Sequence, residues 1–196
     1  EARPAKLTPE EIKIINSTID LSETPVTKEM KPIEHVFMID ETMEITDERV
    51  SDIVKSGFSK IPVMRGCDKN DIVGFIKVKN LADYPTRLLH KRICDSGIQL
   101  VKPLIVPENT SMLEMLMTFQ KERTAIALIS NQRKDENGNI TLPEGQEYAI
   151  IGLIALKDIF EEILESKMYD DDIHMLIDPH NKTPGLRNHR MFQTVA

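Results

Sequence analysis

Apolar positions take up a helical period directly after a strong start signal at Thr8-Pro9-Glu10-Glu11. Thr8 can cap, Pro9 suits the first helical position and Glu11 completes a capping box. Leu7 and Ile12 have staple spacing, and Ile12, Ile15 and Ile19 predict a buried stripe. Ser22 to Pro25 ends this helix and begins an extended stretch.

Two similar blocks follow. Each opens with a short apolar strand, Val36–Ile39 in the first and Leu104–Val106 in the second. Each continues into an amphipathic helix. In the first, Thr46 caps, and Val50, Ile53 and Val54 share a face. In the second, Ser111 and Glu114 have capping-box spacing, and Leu113, Leu116, Met117 and Gln120 line a face. A strand comes next, Ser59–Val63 against Thr124–Leu128. The last strand of each block then runs into a second helix, Ile72–Leu81 against Ile150–Ile159. The offset between copies is 65 residues from Ile61 to Ile126 but 78 from Gly74 to Gly152, so the second copy holds about 13 extra residues between its later strands. That insertion, 131–146, is polar, with turn formers Asn137-Gly138 and Pro143, and reads as an extended, mobile surface loop. The reading is an α/β chain: 1–24 an N-terminal linker helix, 25–92 and 93–168 the two units, and 169–196 a flexible tail.

Composition narrows the function. Hydrophobic residues make up 40% of the 196 and charged residues 29%, as in an ordinary folded domain. A net charge of −7 argues against binding driven by a nucleic-acid backbone. Tryptophan is absent and aromatics are only 5%, which leaves few platforms for stacking bases. Cys67 and Cys94 have no ligand spacing and read as free thiols of a reducing compartment. No apolar run approaches the roughly 18 to 20 residues needed to cross a bilayer. The opening Glu1-Ala2-Arg3-Pro4 has neither initiator Met nor leader pattern, and reads as the edge of a longer protein.

No catalytic constellation emerges. His35, His90, His174, His180 and His189 are scattered without spaced partners, and no Walker or GxGxxG loop is present. His174, Asp178 and His180 could hold a metal or be part of a polar tail. Glu161, Glu162 and Glu165 with Asp170–Asp172 read as a solvated acidic face, with Mg2+ contact the sharper alternative. Gly74 and Gly152 read as sites of close strand packing.

The repeated β-α-β-β-α unit, with Gly152-Leu153-Ile154-Ala155-Leu156-Lys157-Asp158 at its last strand-to-helix junction and Gly74 through Asn80 at the first, resembles the CBS-domain pair, or Bateman module. The stretches Val26–Glu34 and Ser56-Gly57-Phe58-Ser59-Lys60-Ile61-Pro62-Val63 are similar to signatures of the CNNM (cyclin-M) and CorC magnesium-transport proteins. Ile72 to Leu81 and Gly152 to Glu162 fit two more. The resemblance covers roughly residues 7 to 172.

That resemblance implies tandem CBS domains behind an N-terminal helix. It further implies a cytosolic regulatory module, not an enzyme, attached to the membrane domain of the same full-length protein. Such a module forms a homodimer and binds ATP or another adenine nucleotide with Mg2+. Carried over by motif, the nucleotide site comprises Lys31, Pro32, Phe58, Ser59, Lys60, Ile61, Pro62, Ile154, Ala155 and Asp158. Asp158 would accept from ribose hydroxyls, or only stabilise its own helix start. Lys60 stands for the family's phosphate-facing Arg and loses its bidentate fork. Phe58, Ile61 and Pro62 would wall the adenine, or simply be core. Lys31 stands where the family has Thr, and either meets a phosphate or fills the pocket. Ala155 replaces another Thr and removes a helix cap worth about 1 kcal/mol. A second site would use Asn80, Arg123 and Thr124. The alternative function is a CBS pair without ligand, serving dimerisation or partner docking.

Overall fold

The computed structural model describes residues 7–82 and 89–164. Its elements run α1 (Pro9–Asp20), β1 (Lys31–Pro32), β2 (Ile39–Asp40), α2 (Asp47–Lys55), β3 (Lys60–Arg65), β4 (Asp68–Lys77) and α3 (Val78–Ala82). The second unit follows with β5 (Ile105–Pro107), α4 (Met112–Glu122), β6 (Ile126–Ser130), β7 (Arg133–Lys134), β8 (Ile140–Thr141), β9 (Ile150–Ala155) and α5 (Leu156–Leu164).

The duplication is visible in the sheets. In the first unit β2 pairs parallel with β3, which pairs antiparallel with β4. In the second, β5 pairs parallel with β6, which pairs antiparallel with β9. Each unit's leading segment crosses to the other. β1 lies antiparallel on β9, with Lys31 opposite Leu153 and Pro32 opposite Gly152. Val101 in turn exchanges two 2.8 Å backbone hydrogen bonds with Phe75 of β4. Burial follows the same exchange. Val26, just before β1, is fully buried in the second unit's core beside Met112, Phe119 and Ile154. Ile93 lies in the first unit's core with Ile53, Ile61 and Leu81. Ile33, Phe75, Leu128 and Ile150 form a third cluster that joins the units.

Both junction glycines sit where these segments cross. A Cβ at Gly152 would lie 2.5 Å from Met30 Sδ and 3.0 Å from the Lys31 carbonyl oxygen. A Cβ at Gly74 would lie 2.8 Å from Leu100 Cβ and 3.0 Å from the Val101 carbonyl oxygen. The absence of a side chain lets a strand run close over each.

The local start signals hold. Thr8 and Glu11 make the reciprocal capping box of α1, and Thr46 accepts from the Arg49 N–H at the start of α2. Ser111 caps α4 by accepting from the Glu114 N–H, but the Glu114 carboxylate turns outward to Lys134 Nζ at 2.6 Å instead of closing the box.

Four expectations are corrected. The stripe of α1 is not buried: Ile12, Ile15 and Ile19 are 46%, 44% and 63% exposed, although α1 touches α5. An amphipathic period records a helix's own pattern, whereas burial needs a partner along its length. In α4 the buried line is Met112, Met115 and Phe119, with Leu113 and Leu116 flanking and Met117 and Gln120 exposed; Val54 of α2 is likewise exposed. Around Val36–Ile39 only Ile39 and Asp40 form strand, because Ile33–His35 winds into a 3-10 turn just before. The polar insertion lies at the surface as expected, but it carries a small hairpin. Strands β7 and β8 pair within it, and Arg133 to Glu108 and Asn109 to the Lys134 carbonyl pin it to the second unit.

Candidate functional site

Where the first unit's early segments meet the end of β9 and the start of α5, the surface opens into a cleft of about 330 Å3. That lies at the lower end of the size range for small-molecule sites. Its first wall is aromatic. Gly57 ends α2 in the left-handed region (φ +75°), a conformation glycine adopts without cost, and hands the chain to Phe58. Phe58 stacks on Phe37, with ring centroids 6.1 Å apart and planes inclined by 13°. Both rings are exposed. Lys31, delivered by β1, places Nζ 5.7 Å from the Phe58 centroid, within cation–π range.

Behind the rings lie Ser59, Lys60 and Pro62, with Ala125 and Ile126 of the second unit. Lys60 is half-buried. Loss of hydration, and secondarily the neighbouring Lys77 ammonium, hold its pKa below the ordinary lysine value. The two lysines are direct cross-strand partners on β3 and β4.

The opposite wall is Leu153 and Ala155 of β9 with Leu156, Lys157 and Asp158 of α5. Asp158 occupies the third helical position, and its Oδ2 accepts from the Ala155 N–H at 2.6 Å. This is one half of a capping box. Ala155 has no hydroxyl to supply the other half, and the next N–H, that of Leu156, donates instead to the Ala125 carbonyl.

The structure brings Lys31, Phe58, Ser59, Lys60, Pro62, Ala155 and Asp158 to this cleft. Three carried-over residues lie elsewhere. Pro32 is exposed on β1 and outside the lining. Ile61 and Ile154 alternate with lining residues along their strands, so their side chains point into the two cores, where they are 1% and 0% exposed. Phe37 escaped sequence reasoning because its stretch resembles an apolar strand. The usable signal was a second aromatic in the segment that precedes the parallel pair. Elsewhere, Asn80 and Arg123 are exposed, and Thr124 donates its hydroxyl to the Ile126 carbonyl. His174, Asp178, His180, Glu165 and Asp170–Asp172 lie outside the described residues, while Glu162 pairs with Lys28 at 2.7 Å. Cys67 and Cys94 are free.

An aromatic platform, ammonium groups and one helix-anchored carboxylate suit a ligand with a planar ring, hydroxyls and anionic groups. Asp158 is the one carboxylate among the residues lining the cleft, and its Oδ2 accepts from the Ala155 N–H. Among the described residues no cluster of three His, Cys, Asp or Glu side chains could hold a metal.

Two interlocked β-α-β-β-α units with a cleft where the first unit meets the β9–α5 junction define a tandem CBS-domain pair. No protein-family model matches the chain. Among curated proteins similar to this chain, the metal transporter cnnm-1 of Caenorhabditis elegans is 29% identical over 174 residues, taking in 88% of this chain and 20% of the worm protein. MAM3 of Saccharomyces cerevisiae is 28% identical over 179 residues, 89% of this chain and 23% of the yeast protein. In three dimensions the chain is similar to the CBS domain of a bacterial CNNM/CorC-family Mg2+ transporter solved in complex with ATP. The TM-score is 0.64 and identity 26%, over 81% of this chain and 99% of the bacterial domain. The chain thus spans between a fifth and a quarter of the length of the two curated relatives. Among the described residues no helix is long and apolar enough to cross a membrane.

Proposed function

We propose that this chain is the regulatory CBS pair of a CNNM/CorC-type divalent-cation transport protein, and that its cleft binds an adenine nucleotide. The observation that carries the reading is the convergence of Lys31, Phe58, Lys60 and Asp158 on one cavity, although they come from four separate elements or turns. The ATP complex of the bacterial relative supports the ligand class. In this reading the base lies against the Phe37–Phe58 pair, Asp158 meets the ribose, and Lys31 and Lys60 receive phosphates.

Occupancy would be passed on through α5. Its first turn carries Asp158, α1 touches it, and the Lys28–Glu162 pair ties it to the segment leading into β1. A ligand that binds one arrangement of these elements better than another shifts the population accordingly. The module would face the cytoplasm, work as a homodimer and bias a membrane domain elsewhere in the full-length protein.

The test is calorimetric titration of the chain with ATP, paired with a melting curve. Binding heat and a raised Tm are expected, because a ligand that binds only the folded state stabilises it. Asp158→Ala should abolish the heat while the variant remains folded. No heat and no shift in Tm at millimolar ATP would remove the sensing role. Unaltered binding by the variant would displace the site.

A further inference from the structure

The ring on which a base would stack already has a cation over it. Lys31 Nζ lies above Phe58, 5.7 Å from the ring centroid, while Phe37 is stacked on the same ring at 6.1 Å. Among the described residues Lys31 makes neither an ion pair nor a side-chain hydrogen bond, so the ring is what holds its ammonium. Resting on the nucleotide reading above, we propose that Lys31 is a specificity-determining residue. Its ammonium closes the Phe58 platform to an unphosphorylated nucleoside and gives way to one that carries a phosphate.

The position of Lys31 permits the exchange. Backbone pairing fixes it opposite Leu153, another residue of the cleft wall, with Pro32 opposite Gly152. The side chain is exposed, so its ammonium can swing about that fixed anchor. Lys60 differs. It is half-buried on β3, directly across the ladder from Lys77, and stands behind the rings instead of over them.

A neutral nucleoside that stacks on Phe58 displaces the ammonium and gives it no new partner. A nucleotide displaces it too, but its phosphate then accepts from the ammonium in a charge-assisted hydrogen bond. The two effects differ in size. Loss of an exposed cation–π contact corresponds to roughly two- to fivefold in affinity. A hydrogen bond between charged groups corresponds to about tenfold or more. The phosphate contact therefore wins, and one side chain weakens nucleoside binding while it strengthens nucleotide binding.

Calorimetric titration with adenosine and with ATP, in one Mg2+-containing buffer, tests this on wild type, Lys31→Thr and Lys31→Arg. In Lys31→Thr adenosine should bind roughly two- to fivefold more tightly, because nothing competes for the ring. ATP should bind more weakly, so that the ratio of ATP to adenosine affinity falls by about tenfold or more. Lys31→Arg keeps a cation over the ring and should match wild type toward adenosine. Lys31 is exposed on β1, so all three proteins should share one Tm. Adenosine binding that is unchanged, weaker or undetectable in Lys31→Thr overturns the inference while ATP binding by wild type keeps the nucleotide reading intact. So does Lys31→Arg binding adenosine as Lys31→Thr does, or a fall in the Tm of Lys31→Thr, which would make Lys31 a structural residue. Absence of ATP heat from wild type defeats the nucleotide reading itself.

Discussion

Substituting Gly152 by Ala tests whether the crossing of β1 over β9 organises both the fold and the cleft. The new methyl carbon would meet Met30 Sδ at 2.5 Å, Met30 Cγ at 3.1 Å and the Lys31 carbonyl oxygen at 3.0 Å. The methionine is flexible and can swing aside at modest cost. The carbonyl cannot, because Lys31 and Pro32 are fixed in register against Leu153 and Gly152. Relief therefore requires β1 to lift off β9. Overpacking of this kind costs about 1–3 kcal/mol. Taking ~2 kcal/mol, and 2–4 °C per kcal/mol for a chain of this size, Tm should fall by roughly 4–8 °C. Thermal and urea unfolding of the two proteins side by side provide the assay. Lifting β1 also carries Lys31 away from Phe58, so ATP affinity should fall with stability. A variant that melts with wild type would refute the claim that the close approach constrains the strand. A variant that loses stability but binds ATP as before would refute the link from that strand to the cleft.

Two further outcomes are expected. Ala155→Thr supplies the missing half of the α5 capping box and should raise stability by about 0.5–1 kcal/mol, read as an increase in the urea midpoint; a loss would show that Asp158 already satisfies the helix start. Asp40 is held at a pKa of about 2 by the Thr42 hydroxyl, the Thr42 N–H and the Cys67 N–H. Because the folded pKa lies below the ordinary aspartate value, the carboxylate favours the folded state above about pH 4, and that contribution fades as pH falls through 2. The stability gap between wild type and Asp40→Ala, followed by denaturation at a series of pH values, should be widest above pH 4 and close on acidification.

What could be read in advance divides along a physical line. Start signals and junctions are local, and they were legible: Thr8 with Glu11, Thr46, Ser111, and the two glycines that recur at the end of each unit's last strand. The repeat was legible because its later strands keep the same order of residue types in both copies. What depends on a distant partner was not. The period of Ile12, Ile15 and Ile19 describes a helix face but cannot say whether anything covers it. The α4 stripe lies one position from where the pattern puts it, since Leu113, Leu116 and Gln120 repeat the spacing of Met112, Met115 and Phe119. Within the cleft, Lys60 and Pro62 could be placed by motif. Ile61 between them follows the alternation of the strand into the core, as Ile154 does beside Ala155. The Phe37–Phe58 stack joins residues from two separate turns and leaves no periodic trace.

The crossing of the leading segments makes the two halves indivisible. A fragment ending near residue 92 would keep the first three-stranded sheet but lose Ile93 from its core and Val101 from the edge of β4. A fragment beginning there would lack Val26 and β1. Each half carries in its own sequence a part that only the other can use. The two cleft walls consequently stand or fall together, although the junctions differ in chemistry, Asp158 in one unit and Asn80 in the other.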